Sequence, residues 1–471
     1  MKRMSRRAFV QGVSAGGLAV GGGLTTMLGA SAARAADTSG YKALVCVFFK
    51  GGLDCHDVML PYDQASYDAY ADVRRNLLNG YNGIDGGSTR ARNRLLPLQG
   101  RNGSSFGSRQ FALTEEMAPL HDLFENEQAS IVANIGPLLE PMNRSQFRDR
   151  SRERPPRLFS HNDQQSTWMA LSPEGERYGW GGRFADAALL SNANANPVFT
   201  SISVSGNEVF LAGETAAQYQ VGGNGAQTIR EMTNRGLLGS GRNSDTARSL
   251  IDAHFGAESL SPTNLFEQDL ATINNRAVTA NADFNESLDT LAPFTTQFPD
   301  NGLGGRLKTI AETIAIRGTL NVSRQVFYAS IGGFDTHSNQ ANSMPNLQRQ
   351  ISSAVAAFNS AMQELGVSND VTLFTASDFG RTLVVNGDGT DHGWGGHHFV
   401  VGGAVNGGNI FGSPPPYTVD HESDSGRGRL IPRLAIEQLA YPLGSWFGLT
   451  DAELQAALPR LNMFETPPPI V

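Results

Sequence analysis

The chain has 471 residues, of which 40% are hydrophobic and 17% charged, a globular composition that excludes a disordered or collagen-like polymer and leaves room for one large α/β domain or two smaller ones. Its formal net charge is −8; residues 1–35 carry five basic and no acidic side chains, so the remainder stands at −13, which excludes nucleic acid and an anionic membrane surface as natural partners. The 53 glycines exceed the usual share of roughly 7% and predict many loops, where sites are commonly built.

The chain begins "MKRMSRRAFVQGVSAGGLAVGGGLTTMLGASAARAAD". Arg6 and Arg7 precede a weakly apolar Gly/Ala/Thr stretch that ends in Ala33-Arg34-Ala35, a small-x-small cleavage pattern. That stretch is too polar for a comfortable span, so residues 1–35 read as a removable twin-arginine export signal. The expected destination is periplasmic or secreted. The pathway carries folded proteins and suits a chain that takes up a metal before crossing. No second long apolar run follows, so no stable membrane insertion is expected afterwards.

"KALVCVFF" (42–49) reads as a buried strand emptying into "KGGLD". Residues 75–112, rich in Gly, Arg and Asn, read as a surface excursion. A helix is expected within 114–128 and a strand at 129–136. A short helix follows at 162–171 with Asn162 as its cap. "PVFTSISVSG" (197–206) alternates like a strand, and 221–245 reads as irregular. Helical patterns cover 245–254, 263–290 and 303–317. Strands are expected at 324–333, 371–376 and 397–403, with helices at 344–366 and 431–448. The two cysteines, Cys46 in a strand and Cys55 in its following loop, read as separate thiols. Alternation of apolar strands with helices implies a parallel or mixed sheet covered on both faces, with ligands beyond the carboxyl ends of the strands.

Five segments repeat one form: a strand, a tight turn, then polar ligands. They offer Asp54, His56 and Asp57; Ser160, His161 and Asp163; Asp335 and His337; Asp378 and Arg381; and Asp391, His392, His397 and His398. Carboxylates with imidazoles suit zinc, manganese or iron, and carboxylates alone suit magnesium or calcium. A serine at a helix start and an arginine suit an anion. Singly, each also reads blandly: Asp54 as a turn residue, Ser160 as a cap, Arg381 as an ion-pair partner, Trp168 and Trp394 as packing. The recurrence at five strand ends points to a metal or anion site.

"GGLD", "GGFDTHSNQ", "DFGRT" and "GTDHGWGGHHFVVGG", with the twin-arginine start, resemble the bacterial domain of unknown function 1501 over about 42–460. That family is grouped with the alkaline phosphatase and sulfatase superfamily. The resemblance implies one domain over 36–471, an alkaline-phosphatase-like three-layer α/β/α sandwich around a mostly parallel sheet, with loop insertions near 75–112 and 207–300. It implies one metal site of Asp335, His337 and His392. A second would hold Asp54 and Asp378 with Ser160 as nucleophile and Arg381 bracing the anion. Phe379 stands where that second site expects a histidine, leaving it to be oxygen-ligated, completed by His397, or absent. The implied cofactors are one or two divalent ions: zinc, manganese, magnesium or calcium. The implied activity is hydrolysis of a small-molecule or polymer-linked phosphate ester. "SHNDQ" lacks the sulfatase signature, so sulfate ranks second. The alternative is a non-catalytic metal- or anion-binding envelope protein assisting a polysaccharide or surface system.

Overall fold

The computed structural model describes residues 36–84, 88–223, 225–226, 246, 249–250 and 265–471. The expected export signal, most of the irregular stretch expected at 221–245 and nearly all of the helix expected at 245–254 lie outside these residues. No helix among them is long and apolar enough to cross a membrane. The described residues form one compact unit.

The first strand, β1 (Lys42–Phe49), shows why the fold is layered. Ala43, Val45, Val47 and Phe49 face one core, and Leu44, Cys46 and Phe48 the other. Side chains alternate along a strand, so an apolar run without alternation needs cover on both faces. Leu303, Leu307 and Ile310 of helix Gly302–Ala315 cover the first face, with Ile351, Val355 and Phe358 of helix Gln340–Glu364. Trp180 and Phe184 of helix Trp180–Leu190 cover the second, with Leu439 and Leu443 of helix Ile436–Phe447. Both cysteines are buried and free.

Short strands β2 (Leu60–Pro61), β3 (Leu96–Pro97) and β4 (Phe111–Leu113) make a small antiparallel sheet in the order β2-β4-β3. The central sheet adds β5 (Ala129–Gly136), β6 (Ser201–Ser203), β7 (Gln218–Gln220), β8 (Arg324–Ile331) and β9 (Val371–Ser377). The strands β10 (Arg381–Asn386) and β11 (Gly389–His392) pair as a hairpin. The last strands are β12 (Gly396–Val401), β13 (Ile410–Gly412) and β14 (Leu434–Ala435). The order is β13-β5-β12-β9-β1-β8-β6-β7, with β14 beside β5. Its pairs are parallel except where β12 runs against β5 and β9. The expected mixed α/β architecture with a large, mostly parallel central sheet is therefore present.

Three expectations need correction. The stretch 75–112 is no loose excursion: it holds helix Arg75–Asn82 and strands β3 and β4, and Arg90 from it is fully buried. Its guanidinium is drawn inward by Asp57 and Glu116, at 2.7 and 3.0 Å. The strand expected at 197–206 shortens to β6 because Pro197–Phe199 turn as a 3-10 helix. Helix Gln340–Glu364 starts four residues before its expected start at 344, with Pro345 in its second turn.

Candidate functional site

Register aligns Phe49 with both Ile331 and Ser377, so β1, β8 and β9 end along one sheet edge. The loop after β8 delivers Asp335, and the one after β9 delivers Asp378. The β10–β11 hairpin returns His392 to the same edge, where Arg381 and His392 are register partners. Helix His161–Ala170 starts there too, with Ser160, not Asn162, as its N-cap. Gly51 (φ +116°) lets the β1 loop press against this edge; a Cβ there would lie 2.4 Å from the Asp335 nitrogen.

Donor atoms of His161, Asp335 and His392 lie within 4.8 Å of one another and could hold a metal ion. Each imidazole is oriented from behind. His161 donates through Nδ1 to Asp378 Oδ2 at 2.6 Å, which turns its Nε2 toward Asp335 Oδ2 at 3.6 Å. His392 donates through Nδ1 to the Phe159 carbonyl at 2.8 Å, which turns its Nε2 toward Asp335 Oδ1 at 3.2 Å. The Nε2 atom of His337 reaches the same carboxylate oxygen at 3.2 Å and His392 Nε2 at 2.8 Å. Tying one imidazole nitrogen to a carboxylate or carbonyl fixes the tautomer and frees the other for a metal. Lone pairs that converge on a carboxylate repel unless a cation or a proton lies between them. The donor set therefore fits a zinc- or manganese-type ion.

Electrostatics follow the same division. The hydrogen bond to Asp378 raises the His161 pKa above the ordinary imidazole value, against some burial. Burial lowers that of His392; the Phe159 carbonyl opposes, and the charges of His161 and Arg381 add to the lowering. Burial would raise Asp335, but the hydrogen bond and charge of Arg381 outweigh it and hold the carboxyl below its usual range.

Phe379 is buried, with its ring centroid 4.9 Å from that of His161 and 4.6 Å from that of His392. It forms an apolar wall against both imidazoles and offers no donor. Asp378 does not share the ion site directly. Its Oδ2 accepts from Gly51 N, Gln165 Nε2 and His161 Nδ1, so it acts behind His161.

Four other expected residues are held by partners of their own. Asp54 is fully buried in a two-pronged ion pair with Arg74, at 2.7 and 2.9 Å, and also accepts from Gln340. A carboxylate so paired has no oxygen turned to the His161 cluster. His397 is buried on β12, where Nδ1 accepts from Asn134 N at 2.9 Å, and burial pulls its pKa down to about 4. Arg381 is buried and donates inward to Gly51 O, Thr390 O and Asp335 Oδ1. Its guanidinium braces the ligand loop, leaving the anion-bracing role without its expected residue. Ser160 donates its hydroxyl to Asp163 Oδ2 at 2.9 Å.

His161 is the candidate ligand missing from the set that the resemblance implied. Its signal was present: it opens a helix directly after Ser160. Nothing in one sequence distinguishes an imidazole aimed at a distant aspartate from one exposed on a turn. Trp394 is packing, buried with its indole nitrogen on the Pro137 carbonyl.

The family described as "Protein of unknown function (DUF1501)" matches residues 41–427. No curated protein matches the chain. Two crystal structures of Ps i-CgsB, one in complex with k-i-k-neocarrahexaose, are each 10% identical, with 91% of this chain and 77% of that one covered, at TM-score 0.34.

Proposed function

This chain belongs to the DUF1501 family, and on that footing we propose that it is an exported, divalent-metal-dependent hydrolase of phosphate or sulfate esters on an alkaline-phosphatase-like scaffold. The observation that carries the reading is the pair of back-tied imidazoles, His161 on Asp378 and His392 on the Phe159 carbonyl, facing Asp335. His161, Asp335 and His392 would hold the ion, with His337 as a further donor. A bound zinc or manganese ion supplies Lewis acidity and a low-pKa water. Asp378 keeps the proton of His161 on Nδ1. Arg381 keeps Asp335 ionised and oriented. The Ser160 hydroxyl, bonded to Asp163, has a carboxylate able to take its proton, so Ser160 is the protein nucleophile to set against water.

A second reading, a non-catalytic metal-binding envelope protein, draws on the engagement of Asp54 and Arg381 in internal pairs. Metal analysis of the periplasmic protein, with turnover of aryl phosphates and sulfates in added zinc, manganese, magnesium and calcium, separates the two. The hydrolase reading expects about one ion per chain and turnover, both lost in His161→Ala. Bound metal without turnover of either ester class supports the binding reading, and a chain without metal sinks both. Retained turnover in Ser160→Ala assigns the attack to water.

A further inference from the structure

With Arg381 engaged internally, the site described above still lacks a group to take the charged oxygens of its ester. Arg429 supplies one. Its Nε donates to the His392 carbonyl at 2.8 Å, and its guanidinium lies 5.1 Å from the centroid of Phe159. It is thus clamped between the two residues whose own hydrogen bond orients a proposed ligand, the Phe159 carbonyl and His392 Nδ1. Among the described residues only Nε is spent, and the two terminal nitrogens keep their fork for an anion.

The loop that carries Arg429 is rigidly built. Asp424 Oδ1 accepts from Gly426 N and Gly428 N at 2.7 and 2.9 Å. Leu383 N and Val384 N of β10 donate to the carbonyls of Gly428 and Arg427. Gly428 (φ +71°) sits so close to β10 that a Cβ would lie 2.3 Å from that of Leu383. Arg427, on the same loop at φ 61°, pairs with Asp391 at 3.2 Å and is half exposed. Arg427 and Arg429 thus place two cationic side chains on one loop, with the carboxylates of Asp391 and Asp424 beside them.

We infer that Arg429, assisted by Arg427, is the anion-binding grip of this site and takes the non-bridging oxygens of a tetrahedral oxyanion, phosphate or sulfate. The inference rests on the ester-hydrolase reading for its biological meaning, but its test does not. Titration calorimetry of the full mature protein with inorganic phosphate, and separately with sulfate, is run on metal-loaded and chelator-treated samples, with metal content measured alongside. Losing a charge-assisted fork is expected to weaken oxyanion binding about 10- to 100-fold in Arg429→Gln, with metal content retained. Arg429→Lys is expected to recover only part, because it keeps charge without the fork. Arg427→Gln, whose side chain pairs with Asp391 and makes no contact with the His392 imidazole among the described residues, is expected to weaken binding several-fold. The tighter-bound anion names the ester class. Absence of oxyanion binding in the wild-type protein overturns the inference, as does unchanged affinity in Arg429→Gln. Should Arg429→Gln shed its metal, Arg427→Gln decides, and unchanged affinity there overturns it. A wild-type chain without metal that binds phosphate through Arg429 would sink the hydrolase reading while leaving the inference standing.

Discussion

Asp54 and Asp378 follow strands in similar sequence settings, yet their partners give them opposite work. Asp54 is closed off by Arg74, and Asp378 stands behind a candidate ligand. Substitution separates the roles. Asp54→Ala leaves the buried Arg74 charge unpaired and is expected to destabilise the fold by about 3–5 kcal/mol, while the folded fraction keeps its metal. Urea unfolding with metal analysis checks this, and lost metal at unchanged stability would restore Asp54 as a ligand. Asp378→Asn weakens the tie on His161 and is expected to reduce metal affinity about 10- to 100-fold. Competition with a chromophoric chelator measures it. Because Asp378 raises the His161 pKa, protons compete for Nε2, so metal affinity in the native protein should rise with pH through the histidine range.

At the scale of elements, the site depends on loops held by close backbone approach. Strands β1, β5 and β9 were legible almost to the residue, since a short, mostly apolar run that ends at a glycine or small-residue turn favours a strand covered on both faces. The loop at 424–430 gave no such signal, because its hydrogen bonds run to β10, some 40 residues earlier in the chain. Gly428→Ala tests it. A Cβ at positive φ, pressed on Leu383, is expected to lose more than about 1 kcal/mol and to impair the oxyanion affinity ascribed to Arg429. Denaturant midpoints with phosphate titration report both, and an unchanged midpoint would mean that the loop yields easily.

For the molecule as a whole, the buried imidazoles set the pH response. Burial pulls His56 and His398 down to about 3 and His397 to about 4, below the model-peptide value near 6.5. The unfolded chain therefore takes up protons below that value while the folded one does not, so stability falls as pH drops from about 6.5 toward 4. Glu437 acts oppositely. Burial raises its pKa to about 7, so acidification from there to about 4.5 favours the fold. The depressed imidazoles, His392 and His421 among them, outnumber Glu437, His161 and Asp57, whose raised pKa values act the other way, so the net is a loss of stability as pH falls below about 6. Urea unfolding at pH 7 and pH 5 measures it; Glu437→Gln should steepen the slope, and a flat profile would contradict the burial of the imidazoles.

Several features followed from the sequence alone: the alternating architecture, the sheet edge that collects the candidate ligands, and the family motifs around Asp335, Asp378 and His392. These depend on local apolar runs, turns and short spacings, which one stretch of chain carries in full. Tertiary structure decided which candidates meet. It brought His161 across 174 residues to Asp335, turned Asp54 and Arg381 inward, and set Phe379 against two imidazoles. It also delivered Arg429 beside His392. The physical reason is that a charged side chain looks alike in sequence whether it is free or paired. Its partner, set by the sheet order, determines whether it holds the fold or faces a ligand.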